Sequence, residues 1–415
     1  MADLPVLGRA RAFAAAPQVG SADAHLDALT GLRFFAALAV LLFHETDGHL
    51  AAAPPLVMRY LKSGFMSVSL FFVLSGFILT YKYLPIERRA FLRRRDFWAA
   101  RFARIYPVYL LGLALGLLPF AYNLVRKGGS VGSMLLEGTG IVASTLMLVQ
   151  AWIPHAACRL NCPGWSLSVE AFFYLVFPAL GLILVRLRGR HLLIALAITW
   201  VVSVVLFAAA WLEVGVWVAS SEDVTLFRRT LRFFPLLRVA EFAFGMLVGL
   251  VFLERRDESR AFRASPQLLA LAGLVGLVIA VPLRATGVLE AVHQQLLLPL
   301  FGLLVYGLAY GRGLVARALA VPFIVLLGEA SYALYILHGP VHSLLGAADG
   351  ALGTGVHASV WWVPMYAGVT IALSIGTYRM IEVPARDYLK QWLGSGHRAG
   401  RQAHQVDLAA QRERA

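Results

Sequence analysis

Eleven long apolar runs follow one another along the chain, broken by short polar stretches rich in arginine, glycine and proline. They cover approximately 28–47, 64–83, 105–122, 133–153, 165–186, 191–212, 235–253, 267–283, 293–311, 322–346 and 358–380. A helix of about 20 apolar residues crosses a bilayer's hydrocarbon core, so each run is a candidate span. No internal repeat is visible, which weakens an inverted-repeat transporter.

Arginines in the breaks orient the runs, because cytoplasmic loops carry the excess of Lys and Arg. The stretch from Lys82 to Arg104 holds Arg88, Arg89, Arg93, Arg94, Arg95 and Arg101, which predicts a cytoplasmic loop and a cytoplasmic N-terminus two spans earlier. Arg379, Arg386, Lys390, Arg398 and Arg401 place the C-terminus on the same side. Two inside termini require an even number of crossings, so one of the eleven runs must fail to cross. Either 105–122, bracketed by Pro107 and Pro119, or 133–153, diluted by Glu137, Gly138, Gly140 and Gln150, fits that part. The expected fold is an all-α integral membrane protein, a polytopic bundle of about 10 transmembrane helices plus one re-entrant or interfacial helix. Residues 1–25 and the basic stretch 389–415 are expected as disordered cytoplasmic ends of a transmembrane domain spanning 26–388.

Composition agrees with this class. Of 415 residues, 59% are hydrophobic and 14% charged, against roughly 25% charged in soluble domains. The net charge of +14 sits in short loops and the tail, as topology signals do, so no nucleic-acid partner is expected. The first 25 residues lack the uninterrupted apolar core of a secretory signal peptide. Cys158 and Cys162 fall in a loop expected outside a bacterial inner membrane, where a disulfide and two free thiols are both open readings. They lack partner ligands for zinc, and no metal site is expected.

Ionisable residues inside the apolar runs are the candidate chemistry, since each is costly there and normally faces a protein interior or a wet cavity. Arg33 and His44 share the first run. Their eleven-residue step returns to within about 20° of one helix face and advances roughly 16 Å. Arg101 and Arg104 lie three residues apart at the cytoplasmic rim, a spacing and residue type suited to phosphate, or simply to topology. Glu170 stands about one and a half turns inside the run opened by Trp165, at a depth similar to that of His44. The two could form a base with its orienting carboxylate, or a buried pair that locks two helices. Arg238 and Glu241 read as a structural i,i+3 ion pair, His338 as a structural histidine, and Glu382 as a cap or a partner of Arg379 or Arg386.

The ordered segments LDALTGLRFFAALAVLLFH, SLFFVLSGFILT, FWAARFARIYPVY, WSLSVEAFFYLVFP, RVAEFAFGM, GEASYALYILHGP and a terminal E-x-P together resemble the membrane-bound acyltransferase-3 family, from about residue 26 to residue 388. The resemblance implies transfer of an acyl group, most commonly acetyl, from an acyl-CoA donor such as acetyl-CoA to a sugar hydroxyl of an envelope or exported glycan. By position it implies His44 and Glu170 as catalytic, with His44 a general base or a transient acyl carrier, Arg33, Arg101 and Arg104 as donor-binding, and Trp165, Ser166 and Ser168 as support, beside Arg238, Glu241 and His338. Ala171 departs from the pattern, because many relatives carry an acidic or amide residue there. The cysteine loop is a second departure. A secondary transporter or flippase using the same intramembrane charges is the alternative. Partners expected are the glycan acceptor and the lipid bilayer, with oligomeric state undetermined by the sequence.

Overall fold

The computed structural model describes residues 26–84, 94–153, 155–217, 231–255, 266–283 and 288–388. The expected disordered ends lie outside the described residues, as do Arg88, Arg89, Arg93, Lys390, Arg398 and Arg401 among the orienting cations. Helices make up the fold, with no strand among those residues.

Every predicted run is helical. They correspond to α1 (Asp27–His44), α2 with α3 (Pro55–Lys62 and Ser67–Tyr83), α4 (Arg94–Lys127), α5 (Val131–Leu146), α6 (Trp165–Leu184), α7 (Arg190–Trp217), α8 (Pro235–Arg255) and α9 (Pro266–Ala280). They continue as α10 with α11 (Val288–Leu296 and Leu298–Leu308), α12 (Leu314–Leu319), α13 with α14 (Pro322–Glu329 and Ser331–Leu352) and α15 (Trp362–Thr377). Seven of these helices or helix pairs have the length and hydropathy of a span, and α13 with α14, bent by 57°, makes an eighth. α15 continues through a π-turn at Tyr378–Glu382. Pro384 explains that turn, since its missing N–H leaves the preceding turn without a donor. α9, at 15 residues, reaches only about 22 Å.

The odd run among eleven is α5. α4 is a continuous helix of 34 residues with Pro107 and Pro119 inside it, and it carries Arg101 near one end and Asn123 near the other. α5 doubles back along α4: Gly138 stands against Leu124, and the Thr145 carbonyl accepts from the Tyr109 hydroxyl at 2.8 Å. The chain then returns past Arg159 and Leu160, which stand beside Glu137 and Gly116, before Gly164 comes back against Tyr109. Glu137 ties this excursion down, bonding Lys127 at 3.1 Å and Arg159 at 2.7 Å. α5, at 16 residues, doubles back on α4, and like α9, at 15, it is shorter than the helices of spanning length. Cys158 and Cys162, in the return segment, are joined as a disulfide.

Where prolines interrupt helices, side chains take over the freed carbonyls. Pro178 in α6 leaves the Tyr174 carbonyl without its helical donor, and Trp98 Nε1 donates to it at 2.9 Å. Pro340 in α14 frees the Ile336 carbonyl, which accepts from Asn161 Nδ2 at 3.0 Å. Large apolar side chains such as Leu118, Leu175, Ile198 and Leu268 lie on the outside, as lipid requires. Between helices the apolar drive is weak in lipid, so close backbone approach matters more. At the α3–α8 crossing a Cβ on Gly245 would lie 2.1 Å from the Val73 carbonyl oxygen, and one on Gly76 2.1 Å from that of Phe242. Only glycine permits the crossing.

Candidate active site

Two cavities lie against opposite ends of α1. The first is lined by Arg33 from α1, Arg101 and Arg104 from α4, and Ser166, Glu170 and Tyr174 from α6, with Tyr332 and Tyr335 from α14 closing it. The α6 residues repeat every four positions, so one helix face supplies all three. The cavity is narrow, about 100 Å³. Arg101 is 7% exposed; its Nη2 donates to the Tyr83 hydroxyl at 3.1 Å, while its Nε–H has no acceptor. An unmet guanidinium donor beside two further arginines is chemistry that fits a phosphate-bearing ligand. Glu382, buried in the π-turn, interacts electrostatically with Arg33, Arg104 and Arg386.

The second cavity, about 310 Å³, is lined by His44 and Glu45 at the end of α1, His338 and His342 from α14, Asn161, and Tyr366 from α15. His44 Nδ1 lies 2.8 Å from the Val40 carbonyl oxygen. A carbonyl can only accept, so Nδ1 carries the proton and Nε2 of the neutral ring keeps its lone pair. His338 repeats the arrangement, with Nδ1 2.7 Å from the Tyr335 carbonyl and Nε2 buried without a partner. The two imidazoles lie 4.9 Å apart, centroid to centroid. Tyr335 lines the first cavity and His338 the second, three residues apart on α14, so this helix forms the partition between them.

The structure corrects one expected pairing. Glu170 does not orient His44. Its Oε1 accepts from the Tyr174 hydroxyl at 2.6 Å and from Ser75 Oγ at 3.1 Å, and it faces the arginines. The expected common depth is what fails: Glu170 lines the cavity of Arg33, whereas His44 ends α1 at the other cavity. α6 begins inside the bundle, with Gly164 against Tyr109 in the middle of α4. The orienting group for His44 is a backbone carbonyl of its own helix.

The remaining expected residues separate into cavity wall and support. Ser166 reaches the first cavity while donating to the Pro163 carbonyl at 3.0 Å. Ser168 is fully buried, donating to the Leu148 carbonyl at 2.6 Å and accepting from Ala151 N–H at 3.3 Å, and so pins the end of the re-entrant excursion. Arg238 and Glu241 form a buried ion pair at 2.6 Å; Ser69 and Gln295 complete the carboxylate's bonds at 2.8 and 3.1 Å. Trp165 packs its ring on Phe233 and lies 5.8 Å from the Arg238 guanidinium. These four residues hold helices together around the cavities.

Sequence reasoning missed Glu45, His342, Asn161 and Tyr335, and gave Glu382 only local partners. Glu45 had a visible signal, a carboxylate directly after His44. The others depend on contacts made across long sequence separations.

Known proteins give the chain a family. Residues 26–379 match a family model described as an acyltransferase domain, acyltransferase-3, and the chain belongs to that family of acyltransferases. It is similar to the acyltransferase MdmB of Streptomyces mycarofaciens, 30% identical over 84% of this chain and 86% of that one. It is likewise 30% identical to the exopolysaccharide production protein ExoZ of Rhizobium meliloti, over 83% of this chain and 94% of ExoZ. The peptidoglycan O-acetyltransferase OatA of Listeria monocytogenes is 22% identical over 87% of this chain, which spans only 56% of OatA. No solved structure matches the chain. The transporter reading finds no support among these relatives.

Proposed function

We propose that the protein is a multi-pass inner-membrane O-acyltransferase that takes an acyl group, acetyl by preference, from acyl-CoA at the cytoplasmic side. It delivers that group to a sugar hydroxyl of an envelope or exported glycan on the opposite side. The observation carrying this reading is α1 itself: one unbroken helix holds Arg33 in an arginine-lined cavity and His44 in a histidine-lined one, roughly 16 Å apart along the axis. The positive-inside pattern supports the arginine cavity as the cytoplasmic one and both termini as cytoplasmic.

Arg33, Arg101 and Arg104 would hold the phosphates of the donor, with Arg101 Nε–H as an unmet donor to them. The narrow first cavity suits an extended thioester-bearing arm rather than a compact permeant. The thioester supplies an activated acyl carbon, and the protein's own task is to remove a proton from the acceptor. Nε2 of His44 takes the hydroxyl proton as the sugar oxygen bonds to the acyl carbon. The carbon–sulfur bond then breaks, and the proton held on His44 passes to the departing thiolate. His338, with a bare Nε2 beside His44, offers an acceptor to a neighbouring hydroxyl of the same sugar.

Reconstituted protein incubated with radiolabelled acetyl-CoA and an envelope glycan fraction tests the reading. Transfer of label to the glycan, lost in His44→Ala, is expected, as is protection from heat by acetyl-CoA but not by free sugars or organic acids. Neither transfer nor protection in the wild type would overturn it.

A further inference from the structure

Next to His44 lies a carboxylate whose burial the acyl-transfer reading does not use. Glu45 is 2% exposed, and a buried carboxylate needs a compensating charge. Among the described residues its ion-pair partners are two imidazoles: His49 Nδ1 at 2.8 Å from Oε2 and His342 Nε2 at 3.4 Å from Oε1. Trp362 Nε1 donates to Oε2 at 3.2 Å, fixing the carboxylate's orientation.

The far nitrogen of His49 decides what stands between the ring and the acid. Nε2 is 2.6 Å from the His357 carbonyl oxygen, an acceptor only, so Nε2 bears a proton. A neutral His49 therefore turns the bare lone pair of Nδ1 toward a carboxylate oxygen. Nδ1 and the carboxylate at that distance need a positive charge between them, which a proton on the ring supplies or a metal ion in its place. Donation of the remote N–H to a backbone carbonyl is also how metal-binding histidines are commonly held. One donor atom from each of Glu45, His49 and His342 falls within 4.8 Å of the other two, and ligands on a tetrahedral zinc ion stand about 3.3 Å apart, so small side-chain rotations close the set.

We propose that Glu45, His49 and His342 bind a divalent metal ion, zinc by their His₂Glu donor set, with a fourth position left to solvent or substrate. Glu45 and His342 both line the histidine cavity, so the ion borders the compartment that holds His44. It ties the end of α1 to α14, and so fixes the backbone immediately after His44. This site stands apart from the acyl-transfer reading and survives its failure.

The test uses full-length protein purified in detergent through a tag without histidine, stripped with chelator, dialysed against zinc and then against metal-free buffer, and assayed by elemental mass spectrometry. One zinc per chain is expected in the wild type and in His293→Ala, which changes a histidine outside the cluster, and none in Glu45→Gln or His342→Ala. Wild-type protein without stoichiometric zinc, or both cluster variants retaining it, overturns the proposal. Should those variants not fold, cobalt added to the stripped wild type decides: visible bands of four-coordinate cobalt support the site, and the six-coordinate aqueous spectrum rejects it.

Discussion

At the scale of single residues, the two cavities divide the labour between guanidinium and imidazole groups. Loss of His44 removes the base whose Nε2 lone pair the Val40 carbonyl leaves free, so His44→Ala is expected to lower kcat by about 10²- to 10⁴-fold with the donor KM little changed. Arg101→Ala removes charge-assisted bonds from the other cavity; its donor KM should rise by about 10- to 100-fold, with kcat at saturation nearly kept. Steady-state kinetics with varied acetyl-CoA separates the two patterns. Glu170→Gln keeps an oxygen to accept from Tyr174 and Ser75 but loses the charge facing the arginines. Its effect should fall on the donor KM, with the pH profile of kcat unmoved. A shift in that profile would restore Glu170 as the partner of His44.

At the scale of elements, prolines set up side-chain contacts that hold the re-entrant segment in place. The Asn161–Ile336 bond exists because Pro340 cannot donate to the Ile336 carbonyl. Asn161→Ala leaves that buried carbonyl unmet and should destabilise the protein by about 1–3 kcal/mol, read from thermal unfolding in detergent. In a Pro340→Ala background the helix regains its own N–H donor, and the same substitution should cost distinctly less. Equal costs in the two backgrounds would remove Pro340 from the explanation. Pro340 was visible in the chain as a break after His338; that a residue of the cysteine loop answers it was not, because 175 positions separate the two.

At the scale of the whole molecule, the bundle closes through small residues and buried polar clasps. Gly245→Ile places a branched side chain where even a Cβ meets the Val73 carbonyl, so α3 and α8 must separate. Loss of folded protein on fluorescence-detected size exclusion is the expected result, whereas Gly350→Ala, with open space around it, should be neutral. The proposed topology predicts that reporters fused at both ends read as cytoplasmic and that one placed near Asp349 reads as external. Opposite-side readings for the two ends would undo the even number of crossings.

Hydropathy was enough to specify the class and the eleven helical runs, because lipid forces backbone groups to bond within each helix. Periodicity also placed Arg33 and His44 on one stripe, since 3.6 residues per turn holds whatever surrounds the helix. Which run doubles back, and that Glu170 faces arginines rather than His44, followed only from packing. Position along one helix is a local quantity, but the depth at which that helix begins is set by the segment before it, and α6 starts beside Tyr109 in the middle of α4. The same limit hid Glu382 among the arginines and His342 beside Glu45. Those groups are brought together by α14 and α15, whose positions against α1 are set by contacts across nearly the full length of the chain.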